Sequence, residues 1–138
     1  MRPELYDTVG AAMSDFGKSY NIPIAYSWRN YAAEQKKAFG KKYLKCYIYE
    51  SSPDVIGVCT GSAQYLWTFQ VSVCVKEGLG DIVPLETVEI LSRHFPVGFV
   101  FEAPGHEFKV IKPAEVIAVV NTGEILEYPV QFVIHTID

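Results

Sequence analysis

The stretch "YLWTFQVSVCVK", residues 65–76, decides how the chain is built. Tyr65, Trp67, Phe69, Val71, Val73 and Val75 alternate with Leu66, Thr68, Gln70, Ser72, Cys74 and Lys76. One set is wholly apolar and the other mostly polar. A period of two is the mark of a β-strand with one buried face. At about 3.3 Å per residue the run would span roughly 40 Å, which exceeds the usual strand, so the length predicts a bend or a bulge. A face this aromatic needs another layer to cover it, and the flanking sequence is where that layer should be found.

Immediately downstream stand Gly78-Leu79-Gly80 and then a helix-like segment. Strand, G-x-G turn and helix are the opening of a phosphate-binding unit. The rest of that unit is missing. A dinucleotide fingerprint needs a third glycine where Val83 stands, and a P-loop needs a G-K-[ST] that the chain lacks. Asp81 would repel a phosphate at the helix start and is better suited as an N-cap. Pro84 is tolerable in a first turn. Ile82, Leu85, Val88, Leu91 and Phe95 are read as the apolar face of a helix that Pro96 and Gly98 end. The glycines therefore turn a corner between a long strand and the helix packed on it, and no cofactor is expected there.

Further from this centre the pattern is weaker but consistent. Pro3 suits a first helical turn, and Leu5, Val9, Ala12 and Phe16 follow at helical spacing, with Gly17 as a possible end. "IPIAYSW" (22–28) reads as a strand and residues 29–41 as a polar, lysine-rich loop. "KYLKCYIYE" (42–50) is a strand with Tyr43, Tyr47 and Tyr49 on one face and Leu44, Cys46 and Ile48 on the other. "SSPD" is read as a turn into an antiparallel "VIGVCT". After the second helix come a short strand near 106–111, a strand at "EVIAVV" (115–120), a hairpin turn at Asn121–Glu124 and a final strand "ILEYPVQFVIHT". Helix, strands, helix, strands predicts an α+β fold over residues 1–138, one domain, with a mostly antiparallel sheet and two main helices packed on one face.

Composition narrows the functions. Of 138 residues, 49% are apolar and 14% aromatic, which suits an ordered core. No apolar run approaches the roughly 20 residues of a membrane span, and the N-terminus has no secretory h-region, so the chain is expected to be made in the cytoplasm. Cys46, Cys59 and Cys74 are odd in number, without a C-x-x-C, and are read as buried reduced thiols. No histidine lies at ligand spacing from them, so no metal is expected. His94, His106 and His135 belong to no catalytic motif. His106 and Glu107 would point to opposite faces of a strand, so the chain is not read as an enzyme. Charge is divided: residues 1–45 carry a net +4 and residues 46–138 a net −8. The net acidity disfavours free nucleic-acid binding as the main task. A basic first third and an acidic remainder can instead meet in neighbouring copies.

These elements, taken in order, resemble the tail-terminator (tail-completion) proteins of long-tailed bacteriophages. The resemblance rests on the first helix, the Ile-Pro strand "NIPIAYSW", the Tyr-rich strand and the long aromatic strand. It continues through the glycine turn, the helix closing on "HFPVGF" and the last strand "EYPVQFVI". The lysine loop and the three cysteines stand outside that pattern. What the resemblance implies is a structural virion protein made in the host cytoplasm. Such proteins form a ring, typically a hexamer, on the finished tail tube. The ring stops growth of the tube protein and forms the surface that meets the head-completion proteins, and DNA passes through it without specific binding.

The rival reading is a small α+β binding module, monomeric or dimeric, that holds an apolar ligand against Tyr65, Trp67 and Phe69. For the ring reading, the expected contact region between copies or with a partner is the lysine loop and its aromatic residues: Trp28, Tyr31, Lys36, Lys37, Phe39, Lys41 and Lys42. Aromatic residues are enriched in interface cores.

Overall fold

The long aromatic run lies in the middle of the molecule. In the computed structural model, residues 3–28, 42–50, 54–55, 63–76, 82–103, 106–121, 123 and 125–137 are described. Helix α1 spans Pro3–Tyr20 and α2 spans Ile82–His94. The strands are β1 (Ile24–Tyr26), β2 (Tyr43–Glu50), β3 (Asp54–Val55), β4 (Ala63–Lys76), β5 (Val100–Ala103), β6 (His106–Val110), β7 (Glu115–Val116), β8 (Val120–Asn121) and β9 (Ile125–Ile137). They form one sheet in the order β1-β2-β4-β9-β6-β5, with β3 on β4 and with β7 and β8 on β9. Among the described residues only the β1–β2 pair is parallel. The fold is α+β with a mostly antiparallel sheet, as the order of elements predicts.

Period two decides which side is buried. Trp67, Phe69, Val71, Val73 and Val75 of β4 join Leu44 and Cys46 of β2 and Tyr128, Val130, Phe132 and Ile134 of β9 in one core. Leu5, Val9, Met13 and Phe16 of α1, with Leu91 and Phe95 from α2 and its end, close over the same face. The Phe16 ring lies 6.1 Å from that of Phe95 and 5.1 Å from that of His94, so the two helices meet above the sheet. Phe69 lies beneath them, 6.3 Å from Phe95, 6.2 Å from Phe101 and 5.6 Å from Phe132. Interlocked rings at these separations add to what area burial alone contributes. Trp67 sits further along the strand, edge-on to Phe108 of β6 at 5.5 Å.

The long strand was expected to bend or to bulge, and it holds no bulge. β4 keeps an unbroken register with β9 from Gln64↔Ile137 to Lys76↔Ile125, and with β2 from Tyr43↔Cys74 to Glu50↔Trp67. A strand can run this long because its neighbour β9 is equally long, so every ladder position has a partner. The register change lies on the other side of the pair. Glu50 faces Trp67 while Asp54 faces Gln64, so the β2–β3 side spends one more residue over the same span. The expected reversal at "SSPD" is also corrected. β3 pairs with β4, antiparallel like β2, so it runs in the same direction as β2 along that edge. Residues 56–60 and the glycine turn at 78–80 with Asp81 lie outside the described residues.

Four local readings change for identifiable reasons. α1 runs past Gly17 to Tyr20, and the left-handed residue that ends it is Asn21, at φ 54°. Ile22 N–H donates back to the Gly17 carbonyl at 2.9 Å, the six-to-one bond of a helix C-terminal cap. Among the described side chains of α2 the buried ones are Pro84, Thr87 and Leu91, with Phe95 just beyond, while Leu85 is 50% exposed. A strict three-residue repeat drifts around a 3.6-residue helix, so Leu85 falls off the stripe that Leu91 defines. "VFEA" forms β5, a strand too short to carry a visible alternation. "EVIAVV" is not continuous: β7 and β8 flank three residues, 117–119, outside any strand. Opposite that gap stands Pro129, whose carbonyl accepts from Ile117 N–H at 3.0 Å. The position where proline lacks an N–H thus faces the interrupted side of the ladder and not β4. The Asn121–Glu124 hairpin is as expected, with Asn121 Oδ1 accepting from Gly123 N–H at 2.8 Å and Gly123 at φ 92°.

Candidate assembly surfaces

Two surfaces stand out on the described residues, one at β1, which ends the sheet order, and one on the far side of β9. The first is built where α1 meets β1. Gly17 allows the approach: a Cβ there would lie 2.8 Å from Ile24 Cδ1 and 2.9 Å from the Ile22 carbonyl oxygen. The Tyr26 hydroxyl lies 3.0 Å from Ser14 Oγ and donates to the Gly10 carbonyl at 3.4 Å, which fixes β1 against the helix. What remains open between the helix end and the strand is a groove of about 630 Å³ with Ile22, Pro23 and Ile24 in its lining and Lys18 and Lys42 beside them. Two cations flank an apolar floor, and among the described residues no carboxylate contributes to the lining.

The second surface is the β7–β8 arm. Seven large apolar residues are exposed among the described residues, and three of them, Ile117, Val119 and Val120, fall within four positions. Isolated exposed apolar residues are ordinary, whereas a contiguous group marks a contact. Nearby, Glu115 is the sole charged side chain of residues 114–121 and is exposed. A strand at "EVIAVV" was expected, but its solvent side was not legible, because the apolar run 116–120 does not declare which face is covered.

Of the residues expected to make contacts, the structure places two. Trp28 is half-buried in the turn after β1, 5.4 Å edge-on from Tyr6 and 5.3 Å from Tyr26, and it packs against the core. Its ring anchors the chain just where the lysine-rich stretch begins. Lys42, just before β2, borders the groove. Tyr31, Lys36, Lys37, Phe39 and Lys41 lie outside the described residues. Trp67 and Phe69, the rings that a ligand-binding module would use, are both in the core, ringed by Phe95, Phe101, Phe108 and Phe132. The Tyr65 side chain is not among those described.

The reactive groups are placed quietly. Cys46 and Cys74 are buried thiols, and Cys59 lies outside the described residues. Burial, reinforced by the nearby Glu127 carboxylate, pushes the Cys74 thiol up to about 12, so it stays protonated at neutral pH and is a poor nucleophile. His94 sits at the C-terminus of α2 among the rings of Phe16, Tyr20, Phe95 and Phe99. Among the described residues, no three His, Cys, Asp or Glu side chains group as metal ligands.

Comparison with known proteins adds the following. A family model described as "Phage tail terminator protein" matches residues 5–132. One solved structure shares 23% identity with a TM-score of 0.66, covering 96% of this chain and 94% of its own. At that identity the likeness speaks for the fold alone. No curated protein matches.

Proposed function

The chain belongs to the phage tail terminator family, and from that premise we propose that it caps the finished tail tube as a ring and forms the surface to which the head is joined. The observation that carries this reading is the family match over residues 5–132, nearly the whole chain. A structural role in the tail needs surfaces that bind protein, not a reaction centre.

Elementary physics supports a ring. Contacts between unlike surfaces of identical subunits close into a ring when the rotation permits. A chain with +4 on residues 1–45 and −8 on residues 46–138 has the two unlike surfaces such a contact needs. The same acidity suits a lumen through which DNA moves, because neutralising phosphates is what makes a protein stick to DNA non-specifically. The lysine-rich stretch that contains Lys36, Lys37, Lys41 and Lys42 belongs to the contact region in this reading, with the tube protein below and the head-completion protein above as further partners. The ring closes on the tail end and not in free solution, since free rings would compete with the tube for subunits.

The test is a strain lacking the gene. Its tail tubes should be overlong and should not join heads, as measured by electron microscopy of the lysate. Tails of normal length, joined to heads, would end the terminator reading.

A further inference from the structure

The two surfaces described above fit one another. We propose that residues 117–120 of one copy dock into the α1–β1 groove of a second copy, an assignment that rests on the ring reading and names the contact within it. Ile117, Val119 and Val120 present branched apolar side chains to water on an arm held to the sheet through β9. The groove offers an apolar floor of Ile22, Pro23 and Ile24 on the neighbouring copy. Burying such side chains is the largest favourable term available to an association.

Charge sets the register. Among the described residues the groove lining carries Lys18 and Lys42 and no carboxylate, and residues 114–121 carry Glu115 and no cation. The groove lies in the basic first third of the chain and the arm in the acidic remainder, so the local pairing follows the charge division of the whole.

Placement makes the contact heterologous. β1 ends one side of the sheet, while β7 and β8 run along the far side of β9, with β2 and β4 between. After each docking one copy therefore keeps an unfilled groove and the other an unused arm. That lets the contact pass from copy to copy, as ring closure requires.

The experiment uses assembled tails. A benzophenone amino acid placed at position 119 is irradiated in tails, and the adduct is identified by mass spectrometry. The expected adduct is a peptide from residues 14–26 of a second copy. A peptide from another tail protein, a peptide from elsewhere in this chain, or the absence of any adduct would overturn the assignment. Val119→Asp should lower infectious particles at least tenfold while leaving the melting of the purified chain unchanged, and Val119→Ile should not. Lys18→Glu and Glu115→Lys should each impair assembly, and the double exchange should restore at least part of it. Normal tails from the Val119→Asp strain would remove the docking proposal alone. Normal tails from the strain lacking the gene would instead remove the terminator reading.

Discussion

At the scale of single residues, Gly17 carries more of the architecture than its place in a helix suggests. Helix propensity alone says that Gly17→Ala should stabilise α1 by roughly 0.5–1 kcal/mol. Packing says the reverse. The nearest atom to a new Cβ, Ile24 Cδ1, is the far end of a flexible side chain and can move aside. The next, the Ile22 carbonyl oxygen at 2.9 Å, is backbone, and the Ile22 N–H is already held by the helix cap. Overpacking of this kind costs about 1–3 kcal/mol, so the net effect should be destabilising by about 1–2 kcal/mol, read as a lower urea midpoint. A higher midpoint would mean that α1 and β1 are not at their contact limit. The glycine was visible in the sequence and was read as a helix end. Its close approach to β1 could not be read, because that depends on where residues 22–24 return after the turn. Asn21 took the left-handed position that Gly17 was expected to supply.

At the scale of elements, the legible parts were those with strong alternation. β4 carries Trp67, Phe69, Val71, Val73 and Val75, and β9 carries Tyr128, Val130, Phe132 and Ile134, at period two on the buried side, and both strands were read with nearly their true bounds. Their mutual register was not readable, since alternation fixes the face of a strand but not its partner. β5 and the split of β7 from β8 were missed, being too short for any period to show. α2 shows how a right element can carry a wrong face. Leu85 and Leu91 look equivalent in sequence, but Leu91 is fully buried against the core while Leu85 is half in water. Leu91→Ala should cost about 2–5 kcal/mol, whereas Leu85→Ala should change stability by no more than about 0.5 kcal/mol. Chemical denaturation of the two variants measures the difference, and equal losses would show that the helix is rotated from the position described. If Leu85 matters for phage assembly but not for stability, it belongs with the exposed residues that meet a partner.

At the scale of the whole molecule, the question is whether charge division drives assembly. The core accounts for most of the described aromatic residues and leaves charge as the property that composition made visible from the start. Lys36, Lys37, Lys41 and Lys42 hold four of the eight cations in residues 1–45, so they make the first third basic. Changing all four to Glu would take the net charge from −4 to −12, since each exchange removes one positive and adds one negative charge. The first third would then be acidic like the remainder, and like surfaces would face each other at every contact. Repulsion between exposed charges is screened by salt, with a Debye length of about 8 Å at physiological ionic strength, so the defect should be most severe in dilute buffer. The expected outcome is a chain that folds, judged by an unchanged near-ultraviolet spectrum, but fails to complete tails or join heads. Changing the same four lysines to Gln separates two causes. It removes the attraction without adding repulsion, and it should give an intermediate defect if charge is what matters. Should the Glu variant fold and still yield infectious particles of normal tail length, the lysine stretch is not a contact, and the groove and arm must hold the ring without it.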